Sequence, residues 1–261
     1  MSQLTKYIMK KKVLLISFSA LIIVLILSII LDINIFKTPK ANTIIQLPDD
    51  TIAAPEADTI HVINQTYLGN FEHTFYGDSA PSSLNILWKK HLGNGKTRVG
   101  GEYRTWSGAG WTGQPLMVKE NGKLYIIQGT YSHNLRKIDA ETGEFIWAYK
   151  YDDVLKGTGS IWVNENADTI TEKYVILQGS RKGNNKSNAS KIVPSFRAVS
   201  YMTGKELWRY NSIKTRCYSR DVDGSAIFIN DTAYIGLENG KFIVFDPDYK
   251  NADTIDGILQ P

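Results

Sequence analysis

Two hydrophobic patterns divide this chain. Residues 13–31, VLLISFSALIIVLILSIIL, carry no charge, and fifteen of the nineteen are Val, Leu, Ile or Phe. At ~1.5 Å per residue a helix of that length rises about 28 Å, close to the ~30 Å hydrocarbon thickness of a bilayer. Each such residue favours insertion by roughly 0.3–0.6 kcal/mol near the membrane centre, so a transmembrane helix is predicted over 13–36 rather than a buried core helix. Beyond it the apolar residues come in runs of four to six, bounded by turn dipeptides. Nothing after residue 36 sustains helical spacing for ten residues, so the remainder is predicted to be nearly all β.

The turn signals carry a period. In PLMVKENGKLYIIQG, Asn121-Gly122 separates two strand-like runs, and Asn-Gly supplies the positive φ angles of a two-residue hairpin. Ile138–Trp147, IDAETGEFIW, aligns without gaps on Val199–Trp208, VSYMTGKELW, so that Thr142-Gly143 matches Thr203-Gly204 and Trp147 matches Trp208. YIIQG at Tyr125 parallels YVILQG at Tyr174 at a shorter displacement, which places an insertion in the second unit; the polar stretch 182–191, KGNNKSNASK, is a loop of that kind. A third unit starts at Ala226 and reaches the Phe242–Asp246 run but lacks the Thr-Gly pair and the Trp. Trp88 stands 59 residues before Trp147 and reads as the last strand of a unit that begins elsewhere. The tetrapeptide ADTI recurs at inconsistent displacements and is chance. Four strands per unit follow, with Trp88, Trp147 and Trp208 as rings that bury ~150–250 Å² each between neighbouring sheets, and with the Thr-Gly pairs as turn formers.

These residues resemble the pyrroloquinoline-quinone-type β-propeller repeat, whose hallmark is Ala-x-Asp-x-x-Thr-Gly-x-x-x-Trp. Asp139, Thr142, Gly143 and Trp147 match the first copy, and Thr203, Gly204 and Trp208 the second, where Ser200 and Tyr201 depart from the pattern. The resemblance spans about Asn85 to Asp248. It implies an all-β, partial propeller of four-stranded antiparallel blades, about three in number, preceded by one transmembrane helix. Propellers of this family usually close with seven or eight blades, so unpaired sheet edges are expected. The chain is therefore expected to be a truncated or split gene product, which the reading frame beyond Pro261 would test. The family holds quinoprotein dehydrogenases and also cofactor-free scaffolds such as the outer-membrane assembly lipoprotein of the BamB type.

Charge sharpens the topology. The formal charge is +4, but Lys6, Lys10, Lys11 and Lys12 all precede the apolar run, and the rest carries 26 basic against 26 acidic residues. A neutral ectodomain gives no electrostatic reason to bind nucleic acid. The apolar run exceeds the ~7–15 residues of a signal-peptide core, and neither Ser28 nor Ala41 has a small residue two places before it, so the helix is expected to be retained as an anchor. The basic cluster stays cytoplasmic by the positive-inside rule. The expected organisation is a basic cytoplasmic segment 1–12, the helix 13–36, a Pro-containing linker 37–66 and a propeller segment 67–261, in a bacterial inner or plasma membrane with the C-terminal part periplasmic or extracellular.

The chemistry is sparse. Cys217 is the one cysteine, so the chain forms no internal disulfide and no thiolate metal cluster, and no lipoprotein Leu-x-x-Cys stands near the N-terminus. Quinoprotein dehydrogenases stack their cofactor on an adjacent-cysteine disulfide, which a single cysteine cannot supply; the resemblance then implies no pyrroloquinoline quinone and no catalysis. His61, His73, His91 and His133 lack metal-ligand spacing. Asp221 and Asp223 in RDVDG look like the start of a calcium loop, but the later ligands are missing and a polar inter-strand loop is expected. The segment with binding character is 100–113, GGEYRTWSGAGWTG, where Tyr103, Arg104, Trp106 and Trp111 are residue types enriched at binding hot spots. Tyr218 and Arg220, ahead of the third unit, are its expected equivalents. The leading expectation is a non-catalytic interaction or assembly scaffold held to the membrane and meeting a protein partner or polymer. The alternative is a fragment of a quinoprotein-type redox or ligand-binding propeller.

Overall fold

The computed structural model describes residues 59–74, 77, 81–217 and 219–261, which belong to a compact unit running from Pro55 to Pro261. The basic segment 1–12, the predicted transmembrane helix 13–36, linker residues 37–58 and Tyr218 lie outside the described residues. Among the described residues no helix is long and apolar enough to cross a membrane.

The described part is all-β, with one four-residue helix, α1 (Ile170–Lys173). Three antiparallel meanders follow one another along the chain. The first sheet is β4 (Leu116–Glu120), β5 (Lys123–Gly129), β6 (Asn134–Asp139) and β7 (Phe145–Lys150). The second is β8 (Ser160–Val163), β9 (Tyr174–Gly179), β10 (Phe196–Ser200) and β11 (Glu206–Tyr210). The third has three strands, β12 (Ile227–Ile229), β13 (Thr232–Gly236) and β14 (Phe242–Phe245). Two separate hairpins flank them, β2 (Asn94–Val99) with β3 (Glu102–Ser107), and β15 (Asp253–Ile255) with β16 (Ile258–Gln260).

Alternation along the strands builds two cores. Leu116, Val118, Ile127 and Leu135 of the first sheet meet Ile161, Ile176, Val199 and Tyr201 of the second. The opposite face of the second sheet, with Val175, Leu177, Phe196, Ala198 and Trp208, meets Phe228, Ala233 and Ile235 of the third. The middle sheet is thus buried on both faces, and every residue of β10 and all but the first of β9 are buried rather than alternating.

The turns of the three sheets share features of one pattern. Asn121 and Gly122 take φ of 50° and 80° in the β4–β5 turn. In the next turn the Asp139 carboxylate accepts from the amides of Glu141 and Thr142, both at 2.9 Å, and those bonds hold its pKa below the ordinary value. Ser200 accepts more weakly from Thr203 N at 3.4 Å, and Asp246 accepts from Asp248 N at 2.9 Å. A bulge precedes the first two turns at matching places, Lys137/Ile138 and Ala198/Val199. Onto each turn docks the Trp of the preceding unit. The indole Nε1 of Trp88 donates to Ala140 O at 2.8 Å, that of Trp147 to Tyr201 O at 2.9 Å and that of Trp208 to Pro247 O at 2.8 Å. The Thr-Gly pair completes the dock: Gly143 and Gly204 have φ of 73° and 67°, and a Cβ on them would stand 3.0 Å and 2.8 Å from the Trp88 and Trp147 rings. Glycine here both turns the chain and makes room for an indole.

One boundary moves. The linker expected through residue 66 ends before Ile60, because β1 (Ile60–Asn64) pairs antiparallel with β4 and adds a fifth strand to the first sheet. Ile60 and Val62 alternate with polar neighbours and pack on the first core. The strand continues as a strap. Gln65 O accepts from Ile161 N at 2.9 Å, Thr66 and Ser160 share a hydroxyl bond at 2.9 Å, and the Phe71 ring lies 5.3 Å from that of Phe228. The first strand of each of the three meanders is therefore touched by residues 60–71.

Candidate functional site

The segment 100–113 is half a hairpin. Gly100 and Gly101, with φ of 60° and 93°, turn β2 into β3, and Val99 faces Glu102 across the turn. The hairpin leans on the first sheet at its base: Gly95 lies against Tyr131 O and the His133 ring, leaving no space for a Cβ, and His133 Nε2 bonds Lys96 O at 2.8 Å. Burial then lowers the His133 pKa, with Lys150 adding to the effect.

Trp106 ends up on the inner side of the hairpin, edge-on to Tyr131 at 5.2 Å, with the Arg181 guanidinium 5.6 Å from its ring. Arg181 is itself fixed. Its Nε bonds Asp221 Oδ2 at 2.8 Å and its Nη1 bonds Thr97 Oγ1 at 2.7 Å. Burial pushes the Asp221 carboxyl up, but the Arg181 bond and charge outweigh that and leave its pKa below the ordinary value. The loop foreseen at 182–191 forms the facing wall, tied down by Lys182 N to Asp221 Oδ1 at 2.9 Å and by Asn184 Nδ2 to Lys96 O at 3.4 Å.

Between these walls lies a cleft of about 640 Å³, lined by Arg98, Trp106, Lys182, Lys186, Asp221 and Glu238 among others. Its charges do not balance. Arg181 is paired with Asp221, and Lys156 with Asp223. Arg98, Lys182 and Lys186 form no ion pair among the described residues. Glu238 is the remaining acid, and burial together with Asp223 and Asp221 raises its pKa. An anionic group entering the cleft meets more cations than acids, beside an indole.

The other predicted residues divide. Trp111 is 95% exposed and borders a second cavity of about 620 Å³ with Tyr67, His73 and Gln114, and also a shallower depression shared with Trp106 and Tyr131. Tyr103 donates to Asn184 O at 3.4 Å, and the Arg98 guanidinium lies 5.9 Å from its ring. Arg104 points to solvent and meets Glu102 at 3.9 Å. Arg220 is buried. Only 2% exposed, it donates to Ser212 O and Ser190 O and, at 3.1 Å, to Asn211 Oδ1, so its guanidinium clamps the loop ahead of the third sheet. Asp221 and Asp223 are committed to Arg181 and Lys156, and among the described residues no group of three His, Cys, Asp or Glu is placed to hold a metal ion.

Beneath the cleft runs a repeat that the Trp register hides. Thr112-Gly113-Gln114, Lys156-Gly157-Thr158 and Asp223-Gly224-Ser225 each precede the first strand of a sheet and stack on one another. Thr112 Oγ1 donates to Lys156 O at 3.1 Å, Gln114 N to Thr158 Oγ1 at 2.8 Å and Ser225 Oγ to Thr158 O at 2.9 Å. Gln128 and Gln178, the glutamines of YIIQG and YVILQG, each bind back to the glycine of their own unit, Gln128 to Gly113 O at 3.3 Å and Gln178 to Gly157 O at 3.1 Å. Polar-Gly-polar before an apolar run was the signal that could have revealed it.

Neither protein-family models nor curated protein sequences give a match to this chain.

Proposed function

We propose that this chain is a membrane-tethered, extracytoplasmic array of propeller blades that acts as a non-catalytic binding scaffold and receives an anion-bearing partner in the cleft under the β2–β3 hairpin. The observation that carries the reading is that Trp106 shares one cleft with Arg98, Lys182 and Lys186, none of which forms an ion pair among the described residues. A scaffold needs rigid walls, and the buried Arg181–Asp221 pair ties both walls, through Thr97 on one side and Lys182 N on the other. The propeller reading draws support from the three identical Trp docks and the consecutive packing of the sheets. The apolar run at 13–31 and the lysines before it support the tether.

The test uses the full chain in detergent, titrated with polyglutamate and with polygalacturonate while tryptophan fluorescence is followed. Binding is expected to weaken as salt rises. Trp106→Ala is expected to cost about 2 kcal/mol, a roughly 30-fold loss of affinity, and combined Ser replacement of Arg98, Lys182 and Lys186 to abolish binding. Unaltered fluorescence with both polymers, or dye reduction with an alcohol after adding pyrroloquinoline quinone and calcium, would overturn the scaffold reading.

A further inference from the structure

We propose that two copies of this chain complete each other, the segment Leu84–Leu92 of each supplying the missing fourth strand to the three-stranded sheet β12–β14 of the other. The chain carries an outer strand without a sheet. Trp88 is docked on Ala140 as Trp147 is on Tyr201 and Trp208 on Pro247, yet Trp147 and Trp208 sit in strands paired with β6 and β10, while 84–92 pairs with nothing among the described residues. Its apolar side chains stand in solvent, Leu84 at 91%, Ile86 at 72% and Leu87 at 76% exposure.

The same chain carries a sheet without an outer strand. β14 is the edge of its sheet, and the residues after it do not fill the place. They turn through Tyr249–Asn251 into the β15–β16 hairpin, which pairs with itself, and β16 lies beside β11, where Gln260 Oε1 accepts from Asn211 N at 2.8 Å. Aligned on the turn acids Asp139 and Asp246, Phe242 and Val244 of β14 correspond to Leu135 and Lys137 of β6 and to Phe196 and Ala198 of β10. Those four are buried under the next sheet, whereas Phe242 is 68% and Val244 55% exposed. An apolar sheet edge and an apolar unpaired strand are each a liability alone and complementary together.

The strand offered and the strand lacking hold equivalent places in one repeat, so joining them continues the stacking from the third sheet of one copy to the first sheet of the other. Because the donor stays docked on its own Ala140, it ties the two copies without leaving its chain. Two such head-to-tail junctions, one in each direction, give a closed dimer. The succession of sheets rests on the propeller reading; each junction rests on the Trp docks and the unpaired edge of β14.

The experiment is native mass measurement of the full chain in detergent. A dimer is expected for the unmodified chain. Monomers are expected for a recipient variant, Phe242→Asp with Val244→Lys, and for a donor variant, Ile86→Asp with Leu87→Lys. Mixed, the two variants regain a one-to-one dimer through the one junction left intact. All four positions are exposed, so each variant keeps the melting temperature of a monomer, and a variant that loses it is replaced by the single change Leu87→Lys or Val244→Lys. The cleft variant Lys182→Ser keeps the dimer, which separates this proposal from the binding reading. A monomer at every concentration, a dimer that survives both variants, or a mass showing a different polypeptide on β14 would each overturn it.

Discussion

Gly204 holds a positive φ of 67° and an indole 2.8 Å from where its Cβ would stand, so two costs coincide at one position. Gly122 has φ of 80° with open space around it. Gly122→Ala is therefore expected to cost about 1 kcal/mol, from backbone strain alone, and Gly204→Ala about 3 kcal/mol, because the Trp147 dock must also shift. Urea unfolding of the two variants measures the difference, and equal losses would show that the dock does not depend on the glycine. Ionisable side chains set a second expectation. Burial pushes the Tyr149 pKa up to about 12, and it also raises Tyr151 and Tyr201, the last helped by its bond to Glu120. In the unfolded chain these phenols ionise near the ordinary 10.0. Their contribution is fully present below about pH 10 and is lost as pH rises toward the folded values. Lys137, caged by Tyr125 and Tyr201, has the opposite sign: burial lowers its pKa against the Glu120 bond, so it recovers stability as pH approaches 10.5. Lys150 is lowered in the same way, but Tyr131 and Tyr210 are raised as well, so the phenols outweigh the ammonium groups and alkaline unfolding above about pH 10 is expected. Tyr201→Phe should cost about 1 kcal/mol at neutral pH, through the lost bond to Glu120, and flatten the alkaline fall; circular dichroism against pH reads both.

Elements differ in how much of them the sequence discloses. The Asn-Gly and Thr-Gly hairpins are local, since turn, bulge and Trp lie within ten residues of one another and recur, and their geometry follows from residue type. β1 was hidden because its partner is β4, more than fifty residues on, and its short alternation sits next to a polar, Pro-containing stretch. β2 and β3 were hidden for a different reason: Lys96, Arg98, Glu102, Tyr103 and Arg104 are exposed, so no apolar face existed to be read. The burial of Arg220 was not legible because its partners are carbonyls of two loops, which no local pattern encodes. The strap offers a direct check. Val62 faces Val118 across the β1–β4 ladder and packs on the first core, so Val62→Asp places a carboxylate against apolar surface at a cost of about 2 kcal/mol. Hydrogen exchange should quicken at the β4 amides and stay unchanged at β14; a change confined to residues 60–64 would show that the strap does not support the sheet.

At the scale of the whole molecule, stability follows from who is packed on whom. Sheets that touch only their neighbours behave as a one-dimensional array, in which each contributes its own stability and that of its interfaces. The middle sheet, β8–β11, has two interfaces, because its faces close both apolar cores. The first sheet has one core plus the partial cover of Trp88 and of Lys90, whose ammonium lies 4.9 Å from the Phe145 ring centre. The third sheet has one core, three strands and an exposed outer face at Ile229, Phe242 and Val244. Local opening should cost least there and most at the centre. Amide hydrogen exchange on the dilute chain is therefore expected to be slowest in β9 and β10, intermediate in β5 and β6, and fastest in β13 and β14. Uniform protection across the three sheets would mean that they unfold as one unit and would remove the array description. Raising the protein concentration separates the sheet's own weakness from its missing partner: if a second copy supplies the fourth strand, protection of β14 climbs with concentration while that of β9, already paired on both sides, does not.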